Sequence, residues 1–261
     1  MATSKSPPAA SRNDLRGRPP RRSLNRRRTE EDVSLFLPLH DANPLRHVGF
    51  PFVTYGLIGV TVVVFLLQSV LPSAAFDQAA INFGMIPIVV RDLYPQPLPW
   101  LPDWANFLTY AFLHADWLHM LTNMLFLWVF GDNIEDAFGH WKFLLFYLGC
   151  AVLAALCHLL FNLDGNGPLI GASGAVAGVM GAYILLFPHA RVFVLARIVW
   201  FIPLPVPAFW MLGFWIATQL FYVVVGGDEA VAWWAHLGGF AAGLALAPLL
   251  RRRGVPLLGG R

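Results

Sequence analysis

A serine stands among small residues in Gly171-Ala172-Ser173-Gly174-Ala175, at the start of an apolar run too short to cross a bilayer comfortably. A second apolar run, beginning near Val231, carries a single histidine, His236. A hydroxyl and an imidazole are costly to keep in hydrocarbon-length segments, and polar groups held there mark a working site whose members partner one another. A serine becomes a nucleophile only when an adjacent base takes its proton. His236 is the only candidate base on either run, and neither run holds an Asp or Glu near that level. The chemistry on offer is a Ser–His dyad, with the imidazole oriented by packing against small residues instead of by a third carboxylate. Ser173 also opens its helix, where unpaired N–H groups and the helix dipole favour an oxyanion. On another run His119 and Asn123 are four apart, so they share a helix face and can both donate to a developing negative charge. His114 lies five residues before His119, about 140° away on an ideal helix, and is expected to anchor the outer loop.

These residues need a membrane bundle to hold them. The chain has 261 residues, 57% hydrophobic and only 13% charged. A soluble domain carries roughly 25% charged residues, so the composition is that of an integral membrane protein. Charge, Pro and Gly bound six apolar spans, near 50–71, 105–130, 142–161, 171–187, 208–225 and 231–250. Ten of the 18 Lys and Arg fall within residues 1–46, and Arg251-Arg252-Arg253 follow the last span. With both termini in the cytoplasm, Lys142, Arg191 and Arg197 lie inside. The outer loops then hold Arg91 against Asp77, Asp92, Asp103, Asp164, Asp228 and Glu229, as the positive-inside rule requires. Residues 1–46 read as a basic disordered cytoplasmic tail, 47–252 as a six-helix domain and 253–261 as a short cytoplasmic tail. The Arg-rich, acid-poor start also fits an organellar transit peptide. The apolar loop 72–104, with Trp100 and Trp104 near its end, is expected to lie partly sunk in the outer interface. Cys150 and Cys157, seven apart on one face, read as small core residues.

Depth links the polar groups. Counting from the cytoplasmic boundary, Ser173 lies 15 residues above Pro188 and His236 lies 15 above Arg251. Both are therefore roughly 22 Å up, and His119, 13 residues above Asp132, is about 20 Å up. Structural polar residues have no reason to share a level; members of one site do. Gly174-x-x-x-Gly178 and Gly239-x-x-x-Gly243 make the faces beside Ser173 and His236 smooth enough for two backbones to approach closely.

At this point the residues match a family. The chain resembles the rhomboid intramembrane serine proteases of the six-span bacterial type. The match is carried by His114-x4-His119-x3-Asn123, by Gly171-x-Ser173-Gly174 and by His236-x2-Gly239-x3-Gly243, in that order on spans two, four and six. The resemblance implies an all-α, polytopic six-helix bundle with Ser173 as nucleophile and His236 as base. His119, Asn123 and the Ser173 N–H would form the oxyanion hole, with His114 structural and Gly171, Gly174, Gly239 and Gly243 shaping the site. Glu135 matches a family glutamate that ties helix ends together. No cofactor or metal is implied, and the partners would be transmembrane protein substrates within a lipid bilayer, with no nucleic acid. The expected home is the bacterial inner membrane. The chain departs from the family at Ala105-Asn106, where Trp-Arg is common, and at Ala177, where some members stack an aromatic ring on the histidine.

Two other readings compete. A rhomboid-like binder or chaperone of membrane helices would not react at Ser173, whereas a hydrolase would be labelled there by a fluorophosphonate. A transporter or metal site built on His114, Asp116 and His119 lacks the Glu of the zinc-protease helix, and Asp116 falls off the His119 face.

Overall fold

The computed structural model describes residues 36–196, 203–227 and 231–259. The tail before Phe36, Arg197, Asp228 and Glu229 lie outside the described residues. Nine α-helices and three strands lie within them. Strand β1 (Phe36–Asp41) precedes α1 (Phe52–Ser69), α2 (Ser73–Phe83), α3 (Pro87–Val90) and α4 (Asn106–Thr109). Then come α5 (Trp117–Phe138), α6 (His140–Phe161), α7 (Ser173–Leu186), β2 (Arg191–Ala196), β3 (Leu204–Pro207), α8 (Ala208–Val225) and α9 (Trp233–Leu250). The chain is mostly helical.

Local chemistry sets the helix limits. Asp116 accepts a hydrogen bond from the His119 N–H at 2.8 Å and so starts α5. Gly139, at φ +88°, is the single residue between α5 and α6, a conformation that only glycine adopts without strain. Span two therefore begins twelve residues later than the sequence suggests. Residues 106–112 form one turn of α-helix followed by a 3-10 turn, and an extended segment leads to Asp116. The stretch 72–104 is likewise not a plain loop, since it folds α2 and α3. Trp100 and Trp104 are both exposed.

α1, α6, α8 and α9 are each long and apolar enough to cross a membrane. α5 is 22 residues long but carries Asp132, Glu135 and Asp136 in its last turns. α7 has 14 residues, or about 21 Å, against a hydrocarbon core some 30 Å thick. Eleven of those 14 residues are buried, so α7 is the central helix and its neighbours shield it. Its most extensive packing is on α9. Only Ala208, Met211, Leu212 and Gln219 of α8 are buried, which makes α8 peripheral.

A small antiparallel sheet, ordered β1-β2-β3, closes the end of the bundle where α5 and α7 finish. Val192 and Val194 alternate inward from β2, and each is fully buried. No strand is expected from the sequence pattern, and residues 36–46 read as part of a disordered tail, whereas Phe36–Asp41 pair with β2 and the Asp136 carboxylate accepts the N–H groups of Arg46, His47 and Val48. The segment 253–259 is tied down too: the Leu258 N–H reaches Leu185 O at 2.8 Å and Val255 is buried. Glu135 is fully buried and accepts from the Val53 N–H, the Thr54 N–H and the Thr54 hydroxyl at 2.7–3.0 Å, and His140 Nδ1 lies 2.5 Å away. One carboxylate thus binds α1, α5 and α6 together at the sheet end.

Candidate active site

At the opposite end the first turns of α5, α7 and α9 converge. Ser173 is the first residue of α7 and His236 the fourth of α9. His236 Nε2 lies 2.8 Å from Ser173 Oγ. The two backbones approach because glycines face carbonyls across the contact. A Cβ on Gly239 would run into Gly174 O, and one on Gly243 into Gly178 O. Gly174 is enclosed on its other side, where an added Cβ would meet Ala154 Cβ at 2.6 Å and Tyr110 Oη at 3.1 Å. The cysteines pack at the same seams and are free thiols, Cys150 against Gly178 and Cys157 against Gly238.

The turn before Ser173 is fixed from three directions. The Gly171 N–H donates to Tyr110 O at 2.9 Å, and the Ala172 N–H donates to His114 Nε2 at 3.3 Å. Gly171 has φ +117°, and an added Cβ there would come within 2.7 Å of the His119 ring. Glycine is required both for the backbone angle and for the imidazole beside it. His114 is fully buried and stacks edge-to-face on His119, with ring centroids 4.9 Å apart. The Ser173 N–H belongs to a first helical turn, which has no intrahelical acceptor for it. Asn123 is buried on the face of α5 below His119, and its Nδ2 donates to His119 O at 3.0 Å. Ser173, His236, His119, Asn123, His114, Gly171, Gly174 and Gly239 are therefore all gathered at one end. Gly243 lies a turn deeper on the α7–α9 seam. Among the described residues no group of three or more His, Cys, Asp or Glu could hold a metal ion.

One partner of the histidine comes from an unexpected helix. His236 Nδ1 lies 2.7 Å from Gln219 Oε1, on α8. The group beside Nδ1 is an amide, in the place where a carboxylate is the usual partner. A signal was present, since Thr218-Gln219 is the only markedly polar pair inside the apolar run 208–225. Trp215 and Trp233 border the same imidazole, at centroid distances of 5.8 and 6.3 Å.

Comparison with known proteins decides the family. A family profile described as Rhomboid domain matches residues 101–253, more than half of the chain. The chain belongs to the rhomboid family. Similar proteins include Rhomboid protein 1, mitochondrial, of Saccharomyces cerevisiae, 34% identical over 143 residues, which cover 51% of this chain and 38% of the yeast protein. Rhomboid protease GlpG of Klebsiella pneumoniae is 28% identical over 209 residues, 78% of this chain and 64% of that protein. Rhomboid protease GluP of Bacillus subtilis is 29% identical over 136 residues, 52% and 25% of the two chains. The chain spans less than two thirds of the length of these curated relatives. With its long apolar helices, this rhomboid is an integral membrane protein. The matched region contains the whole cluster from His114 to Gly243, as well as Gln219.

Proposed function

We propose that this rhomboid is an intramembrane serine endopeptidase that cleaves transmembrane segments of membrane proteins with Ser173 and His236. The observation that carries the reading is the 2.8 Å approach of His236 Nε2 to Ser173 Oγ at the N-terminus of a buried helix. His236 takes the hydroxyl proton as Oγ attacks the scissile carbonyl carbon. The resulting oxyanion is received by the Ser173 N–H, the His119 ring and the Asn123 amide, the last swinging from its bond to His119 O. The tetrahedral carbon then collapses, His236 gives its proton to the departing amine, and an acyl-enzyme remains. Water, deprotonated by the same imidazole, hydrolyses that ester and restores both groups.

In this reading α5 and α7 complete a six-span bundle with both termini in the cytoplasm, and a bacterial inner membrane is its home. The working domain includes α1 and the matched region. An intact helix hides its carbonyls in its own hydrogen bonds, so substrates are single-span proteins with small or helix-breaking residues near the cut. They reach the site from the side, past α8, which has the fewest buried residues of the long helices.

Incubating the purified protein in liposomes with such a substrate is expected to give two fragments, and a fluorophosphonate is expected to label Ser173. Cleavage by Ser173→Ala at the parental rate would sink the assignment.

A further inference from the structure

We propose that Gln219 is the positioning residue for the base, completing a hydrogen-bonded chain Ser173–His236–Gln219 that runs from α7 through α9 to α8. The inference rests on the endopeptidase reading above and adds to it a residue outside the dyad.

The amide has one orientation that satisfies its surroundings. Gln219 Nε2 lies 3.3 Å from Trp215 O and 3.3 Å from Thr218 Oγ1, and a carbonyl oxygen can only accept. The NH2 group therefore faces its own helix, and Oε1 faces the imidazole. An amide oxygen likewise can only accept, so His236 Nδ1 carries the proton. That leaves the lone pair on Nε2, directed at Ser173 Oγ. The tautomer needed to take the serine proton is thus selected by α8.

Gln219 is 6% exposed in a helix that otherwise presents Phe209, Trp210, Phe214, Leu220 and Phe221 outward. A buried amide in such a helix is costly unless all its hydrogen bonds are made, and here both ends are used. His236 is hydrogen-bonded to Ser173 on α7 and Gln219 on α8 and bordered by Trp215 and Trp233, and the titratable groups near enough to act on it are His119 on α5 and His158 on α6. Among the described residues no carboxylate is in contact with His236; Asp116 is bound to the His119 N–H. A neutral acceptor fixes orientation without trapping the imidazolium, so the proton remains easy to return to the leaving amine.

Two substitutions in the full-length protein test this. Gln219→Leu is expected to lower kcat by about 10- to 100-fold with KM within about twofold, and to slow fluorophosphonate labelling in parallel. Gln219→Glu keeps an acceptor and adds charge, so it is expected to retain activity and move the acid limb of the kcat/KM profile upward by about one pH unit. Leu at 219 with the parental kcat and labelling rate overturns the proposal and leaves the endopeptidase reading standing. So does a Glu variant with an unmoved pH profile, which also decides the matter should the Leu variant fail to fold. A parent that neither cleaves nor labels overturns both.

Discussion

Each side chain of the candidate site is held by a neighbour whose own geometry is fixed. Ser173 is placed by the Gly171–Ala172 turn, whose N–H groups are taken by Tyr110 O and His114 Nε2. His119 fits beside that turn because Gly171 has no Cβ. Asn123→Ala is accordingly expected to lower kcat by about 10²- to 10³-fold, the usual cost of one oxyanion donor, while the unfolding midpoint stays within a few degrees. An Asn123→Ala variant with full kcat would remove the amide from the oxyanion hole. That Ser173, His236, His119 and Asn123 belong together was readable from sequence because each is a polar exception in an apolar run. Gln219 is the same kind of exception. It escaped because a search for a third member framed by charge looks only for Asp and Glu, whereas fixing a tautomer needs only an acceptor.

Two helices carry Ser173 and His236, and their contact sets the distance between the two side chains. Gly239 and Gly243 press against carbonyls of α7, so even one methyl group there must push the backbones apart. Gly239→Ala is expected to destabilise the fold by about 1–3 kcal/mol, the usual cost of overpacking, and to slow fluorophosphonate labelling by lengthening the Ser173–His236 hydrogen bond. Unfolding midpoints and labelling rates measured on the same preparation check both effects, and unchanged values would show that the seam is loose. This packing was legible, since two small-x-x-x-small patterns flank the two polar residues. The strands were not. β2 does alternate, with Val192 and Val194 inward, but the run is six residues long and its partner β1 is separated from it by 149 residues of sequence. A strand needs that partner before its pattern means anything. The start of α5 was misjudged for a related reason. Phe107, Leu108, Phe112 and Leu113 make residues 105–115 run on into the apolar stretch that follows, and the Asp116 cap marks the true beginning.

Across the described residues, apolar helices are laced by polar groups at the sheet end, and the Ser173 cluster lies at the other. Glu135→Ala would leave two N–H groups, the Thr54 hydroxyl and His140 without their acceptor, at an expected cost of about 3–5 kcal/mol. Because the knot is far from Ser173, molecules that still fold are expected to keep the parental kcat, as active-site titration would check. Asp41 adds a pH dependence at the same end. Burial raises its pKa above the ordinary carboxylate value, despite the opposing hydrogen bond from Tyr183. The folded protein therefore holds that proton to a higher pH than the unfolded chain, and stability falls as pH rises through the raised value. Asp41→Asn is expected to flatten this slope in unfolding scans run upward in pH from the ordinary carboxylate range. A slope unchanged by the substitution would assign it to another group.

α8 is fastened at its first residues, where the Ala208 and Phe209 N–H groups donate to Ala190 O and Pro188 O, and its far half has few buried side chains. With Gln219 as the support for His236, α8 works like a door hung on one hinge, with the latch mounted on its free edge. In the proposed endopeptidase, swinging it outward to admit a guest would undo the latch and disarm the base, so that cutting would wait until the door has closed behind the guest.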